Sequence, residues 1–148
     1  EQISMDSYYS IVAELEANDR GKVLALIAAG GWLESVYIVT HSLEQYEDNE
    51  VMQRIADQKL TFENLLHYLN NYESVQMVAS TINDLQGIAD IYEGLQVTTA
   101  NKGFQSNNGG KKVLGGTGKI HLEKEEFEAL KAEVMRVRNG ILQSAKIN

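Results

Sequence analysis

Not one proline interrupts the 148 residues of this chain. Proline fixes one backbone angle, removes a donor and clashes with the preceding helical turn, so its absence leaves the chain free to run in long helices. Apolar residues recur at the helical period along that length. A first helix is predicted from about Ser4 to Ala17, with Tyr8, Ile11, Val12 and Leu15 on one face. "ANDRG" breaks it, and a second runs from about Lys22 to Leu43. "EQYEDNE" then connects to a third helix, Glu50 to Asn70, with Asp48 or Asn49 placed to cap it. Its stripe is Ile55, Phe62, Leu66 and Leu69. Ser74 is placed to cap a fourth helix reaching Leu95, with Val75, Val78, Ile82, Leu85, Ile88, Tyr92 and Leu95 in line.

Short links between long amphipathic helices make antiparallel neighbours. The expected fold is therefore all-α: an up-and-down bundle of about five helices forming one domain, residues 1–148. Residues 1–96 are expected to form a four-helix core. Residues 97–122 differ, being rich in Gly and Asn. "KKVLGGTGKIHL" reads as two short strands turning at Gly115 to Gly118, with Asn101 to Gly110 expected to be mobile. Residues 123–148 return to helix, with Phe127, Leu130, Val134 and Val137 on one side. Glu123, Glu125 and Glu126 suit the positive end of that helix dipole, and Arg136 and Arg138 suit the other end.

Charge narrows the partners. Twenty-one acids against 13 bases give a net −8, with no basic face to displace counterions from nucleic acid. Cysteine is absent, which removes disulfides, thiolate metal sites and cysteine nucleophiles. The chain opens on Glu without a basic and apolar leader, so any targeting segment is expected to have been removed already. The most apolar run, Val23 to Val39, is broken by Gly30, Gly31 and Glu34. A membrane span needs about 20 apolar residues, so a buried bundle helix is the better reading and no spanning segment is expected.

Catalytic and cofactor patterns fail on their spacing. A phosphate loop needs glycine five residues before the Gly-Lys pair and Ser or Thr after it; here Val113 and Ile120 stand there. Ser35, Ser42 and Ser80 lie on no Gly-x-Ser-x-Gly elbow. Glu63 and His67 are four apart, whereas carboxylate-bridged bundle sites use Glu and His three apart, in pairs. No catalytic residue, metal or cofactor is assigned.

One carboxylate needs its own account. Ile27, Gly31, Glu34, Ile38 and His41 form a single stripe on the second helix, which turns Glu34 inward. The third-helix stripe has a matching gap, filled by Lys59. A charge removed from water alone costs several kcal/mol, so a Glu34–Lys59 pair is expected, fixing the register of the two helices. Gly30 and Gly31 would let the neighbouring helix approach closely, beside Trp32 or Tyr37. Glu34→Gln should then destabilise the fold sharply. The alternative is that Glu34, Tyr37, His41, Lys59 and His67 line a cavity that binds a small polar ligand.

The stretches "VLALIAAGGWLESVYIVTH", "RIADQKLTFENLLHYL" and "EEFEALKAEVMRVRNGI" resemble the C-terminal half of a family of uncharacterised helical bacterial proteins. The resemblance covers roughly residues 8 to 140. Members resemble lipoproteins or otherwise exported chains and carry a further helical half ahead of this region. It implies an all-α fold and an extracytoplasmic, envelope-side location, with no site residues to transfer. Two functions follow as expectations. The first is a non-catalytic interaction module for a protein partner, a homodimer included, marked by exposed apolar patches on the first or fifth helix. The second is an enzyme or ligand-binding protein with its site between helices.

Overall fold

The computed structural model describes residues 2–17, 20–43, 45–47, 49–99 and 118–144. Five helices occur among them: α1 (Gln2–Ala17), α2 (Gly21–Ser42), α3 (Glu50–Asn70), α4 (Gln76–Gly94) and α5 (Lys124–Ser144). Strands β1 (Val97–Thr99) and β2 (Gly118–Ile120) separate the last two. The all-α bundle is as the periodicity predicts. The segment 101–110 and the side chain of Tyr8 lie outside what is described.

Helices α2 to α5 close into the four-helix arrangement. Each of α2 and α4 adjoins both α3 and α5, and α2 also touches α4 across the middle. Helix α1 meets α2 alone among the described elements. This corrects the expectation that the first four helices form the core. Of the α1 stripe, Ile11 is 57% exposed, while Phe127, Leu130, Val134 and Val137 of α5 are fully buried. The α5 stripe, spaced three, four and three apart, takes the fourth place.

The core centres on one aromatic cluster. The Trp32 and Phe62 rings lie 4.5 Å apart, Phe62 and Tyr92 5.6 Å, and Trp32 meets Tyr92 edge-on at 6.2 Å. These three residues tie α2, α3 and α4 together, and such contacts add about 0.5–1.5 kcal/mol each beyond burial. Tyr92 also donates its hydroxyl to the Ile55 carbonyl at 3.2 Å. Burial pushes the Tyr92 phenol well above its ordinary range, so it stays protonated and keeps that bond.

On α2 the buried residues are Ala25, Ala29, Trp32, Leu33, Val36 and Thr40, with Gly21 at the start. The predicted stripe faces the other way: Ile27 is 61% exposed and Ile38 is 58% exposed. The helix is apolar on both sides, so periodicity selects no face. Packing selects the face carrying the tryptophan, with alanines allowing close contact around it. By length and composition α2 is also long and apolar enough to cross a membrane. The core helix of a bundle passes the same test.

Local chemistry sets the helix ends. Asn49 caps α3, its Oδ1 accepting from the Val51 and Met52 amides at 3.0 and 3.2 Å. Ser74 does not cap α4. Successive turns close 71–75 through backbone bonds such as Tyr72 N to Leu69 O at 2.9 Å, and Val75 opens the helix without a side-chain cap. Glu126 folds back to accept from the Glu123 amide at 2.8 Å, half of a capping box for α5. At Gly21, where Tyr72 crosses the start of α2, a Cβ would meet the phenol end, so a larger residue would displace the Tyr72 ring.

The small antiparallel strand pair expected between the fourth and fifth helices is present, but its first strand is Val97–Thr99, ahead of the glycine-rich stretch. β2 pairs antiparallel with β1, Val97 opposite Ile120 and Thr99 opposite Gly118, so Gly118 lies in a strand. The chain leaving α4 at Leu95 is already extended, and the His121 amide continues the ladder to Gln96 O at 2.9 Å. Ile120 and Leu122 are buried, and their carbonyls accept from Gln53 of α3 and from Tyr46. The proposed turn residues before Gly118 lie outside the described residues.

Gly30 and Gly31 face open space, with no atom within 4 Å of where a Cβ would stand. They are therefore not the approach surface of a neighbouring helix of this bundle. Gly31→Ala should raise stability by about 1 kcal/mol through helix propensity alone. Urea unfolding checks it: the midpoint should rise with an unchanged slope, and a fall would mean that a contact fills that space.

Candidate functional site

Glu34 meets α5, not α3. Arg138 grips it with both arms, Nε to Oε2 at 2.6 Å and Nη2 to Oε1 at 2.9 Å. Guanidinium and carboxylate match as two parallel forks, the strongest geometry for such a pair. The pair is partly exposed, Glu34 at 46% and Arg138 at 26% of their side-chain surface. The expected Glu34–Lys59 pair is overturned. The reason is rotational: with Trp32 in the core, Glu34 falls on the outer side of α2, where the last turns of α5 pass.

Arg138 also lies over the Tyr37 ring, its Cζ 4.1 Å from the centroid. Tyr37 stacks on His41, rings 4.1 Å apart and inclined by 29°. His41 Nδ1 donates to the Tyr37 carbonyl at 3.0 Å and lies 3.2 Å from Thr40 Oγ1. Of the five residues expected to line a cavity, Glu34, Tyr37 and His41 lie together here, linked through Arg138. Arg138 belongs to the last turns of α5, where it reads as a complement to the helix dipole. Its separation of 104 residues from Glu34 conceals the pairing. One signal existed: Arg138 follows Val134 by four, at the edge of the buried α5 stripe.

Lys59 and His67 are elsewhere. Lys59 turns toward α4, where Nζ donates to the Tyr92 carbonyl at 2.6 Å and pairs with Glu63 at 3.0 Å. Its side chain is only 14% exposed. The Tyr92 carbonyl belongs to the last turn of α4, where carbonyls lack i+4 amide partners and carry partial negative charge; it also accepts from the Leu95 amide at 3.3 Å. Lys59 is thus a helix cap supplied from a neighbouring helix. Lys131 of α5 does the same for α2, donating to Leu43 O at 3.2 Å. His67 is exposed on α3, and Glu63, four residues before it, is held by Lys59. Among the described residues no group of three or more His, Asp or Glu could hold a metal.

The hydrogen bonds from Arg138 hold the Glu34 carboxyl below its usual value of 4.5; partial desolvation opposes this, and the guanidinium charge adds to it. The same contacts raise Arg138. A carboxylate so stabilised as the anion is a weak proton acceptor, so this cluster acts as a latch between α2 and α5. Apolar surface flanks the latch. Toward α4 the α2–α5 seam opens into a depression of about 380 Å³ bordered by Leu26, Gly30, Leu33, Met77 and Ile141. On the other side of α2, a pocket of about 290 Å³ against α3 is walled by Val36, Val39, Val51 and Ile55, with Arg54 at its rim.

Comparison with protein-family models, with curated proteins and with solved structures finds no match to this chain.

Two outcomes follow from the geometry. Glu34→Gln should lower stability only slightly at neutral pH, because the pair is partly solvated. The folded-state value is depressed, so its contribution is present above pH 4.5 and is lost as pH falls through the lower, folded value. Melting curves of the two proteins should therefore converge in acid, and divergence there would contradict the latch. Lys59→Met, in contrast, strips a buried carbonyl of a charged donor. It should cost about 1.5–3 kcal/mol in denaturant unfolding.

Proposed function

We propose that this domain is a non-catalytic interaction module that receives a protein partner on the outer side of α2. One observation carries the reading: the Gly30–Gly31 pair in the middle of a long helix, facing open space between exposed apolar residues. Each interior glycine costs a helix about 1 kcal/mol relative to alanine. No contact within the described residues offsets that cost. Glycine on an outward face does allow another backbone to come close. Val23, Ile27 and Ile38 extend the same side with large apolar side chains, and contiguous exposed apolar surface marks interaction sites. The Glu34–Arg138 latch supplies a fixed, charge-balanced polar element among them. The envelope-side location belongs to this proposal on the strength of the family resemblance.

A second reading has an observation of its own. The apolar pocket between α2 and α3, with Arg54 and Gln58 among its polar neighbours, suits a small amphiphile.

Photocrosslinking in the source cells tests the main reading. A photoreactive residue in place of Ile38 should give one discrete adduct. The same residue in place of Asn64, exposed on α3, should give none. The adduct mass distinguishes a second copy of this chain from a different protein. Equal labelling from both positions, or none from either, would remove the proposal.

A further inference from the structure

The depression beside the latch continues along the molecule. A second hollow of about 290 Å³ lies between α4 and α5 and shares Ser80, Asp84 and Ile141 with the first. Together they make one trough between α2, α4 and α5, following α4 from Met77 to Leu85. At 1.5 Å per residue this is about 12 Å, or two turns of a helix. The first hollow is mostly apolar and stands open, with Met77 66% exposed and Ile141 also exposed, whereas Ser80, Asp84 and Arg136 make the second mostly polar. Gly30 of α2 lines the first hollow and Gly140 of α5 the second, both with free space where a Cβ would be.

The α4–α5 rim is acidic. Asp84 and Glu133 stand near a single guanidinium, Arg136, and Asp90 lies near Glu133. Arg136 directs its two short bonds, 2.7 and 2.9 Å, to Glu133. Toward Asp84 it reaches only the backbone carbonyl, at 3.4 Å. Asp90 accepts from Gln86 at 2.8 Å. The Asp84 carboxylate, in the wall shared by both hollows, accepts no hydrogen bond among the described residues.

We propose that this trough takes the apolar face of a basic amphipathic helix from a partner protein, with a lysine or arginine of that helix meeting Asp84. The inference rests on the interaction-module reading and names the chemistry of the partner. An open trough two turns long matches anchors spaced i, i+3 or i+4, and i+7. The two open glycines, one in each hollow, allow the incoming backbone to sit low. The rim and the net charge of −8 select a cationic segment and repel a second copy of this chain. Helix α1, the one least tied to the bundle, contains neither Lys nor Arg and does not meet that requirement in another copy.

The test uses a synthetic helical peptide with leucines at i, i+3, i+4 and i+7 flanked by lysines, and a twin with glutamates for the lysines. Each is titrated into the isotope-labelled full chain while amide resonances are followed. The lysine peptide should shift amides in 26–33, 77–85 and 140–142, and should bind about tenfold or more tightly than its twin. Gly30→Leu and Gly140→Leu should each weaken it about tenfold without lowering the melting temperature. Asp84→Asn should shrink the difference between the twins.

Equal binding of the twins would overturn the charge argument and the proposal with it. Shifts confined to Val23, Ile27 and Ile38 would reject the trough and leave the interaction module standing. No shift anywhere, together with no adduct from position 38, would reject both. Sedimentation showing a dimer that protects the trough amides would place a second copy there instead, and overturn the proposal.

Discussion

The contact of Trp32 with Phe62 and Tyr92 decides more than core packing. A helix apolar on every side is able to present any face inward, and α2 is such a helix. Once its indole is buried against α3 and α4, the rotation of α2 about its axis is set. That rotation turns Glu34 toward α5, exposes Ile27 and Ile38, and leaves both glycines uncovered. Tyr92 holds the cluster in register from two directions. Its hydroxyl binds α3 at Ile55, and its carbonyl receives Lys59 of the same helix.

Bases hold the bundle together at the places where helices end. Lys59 and Lys131 bring ammonium groups to the last carbonyls of α4 and α2, each from a different helix. Arg138 does related work from the last turns of α5, reaching the carboxylate of Glu34. With Arg136 of α5 reaching the Asp84 carbonyl of α4, a chain with few bases thus uses four of them to join elements, and the acids remain mostly on the surface. This arrangement explains how a protein of net −8 keeps close helix packing while presenting an acidic rim between α4 and α5. Repulsion among exposed carboxylates is screened by water and salt, whereas an uncapped, buried helix end is not.

Surface left apolar on a helix that is otherwise well packed calls for a reason outside the bundle. The outer side of α2 and the adjoining trough meet at Gly30. Both lie next to the latch, so one partner could use apolar contact, backbone proximity and charge at adjacent points. Tight coupling of Glu34 to Arg138 adds rigidity there, because neither side chain is free to follow solvent. A rigid surface loses less conformational freedom when it is covered.

Much of the architecture was legible before any coordinates. The stripes on α3, α4 and α5 and the Asn49 cap follow from side-chain period and local hydrogen bonding, which act within a few residues. That Glu34 and His41 share one side of α2 was legible for the same reason, since spacings of three and four place them on one stripe. The sequence by itself therefore determined the helices, their lengths and which residues share a side. Tertiary structure decided which side of α2 is inside, that α5 and not α1 completes the core, and that Arg138 takes the partnership expected of Lys59. Those choices depend on volume and on contacts between residues far apart in the chain. Period cannot rank two apolar faces of one helix; only the fit of Trp32 between Phe62 and Tyr92 does that.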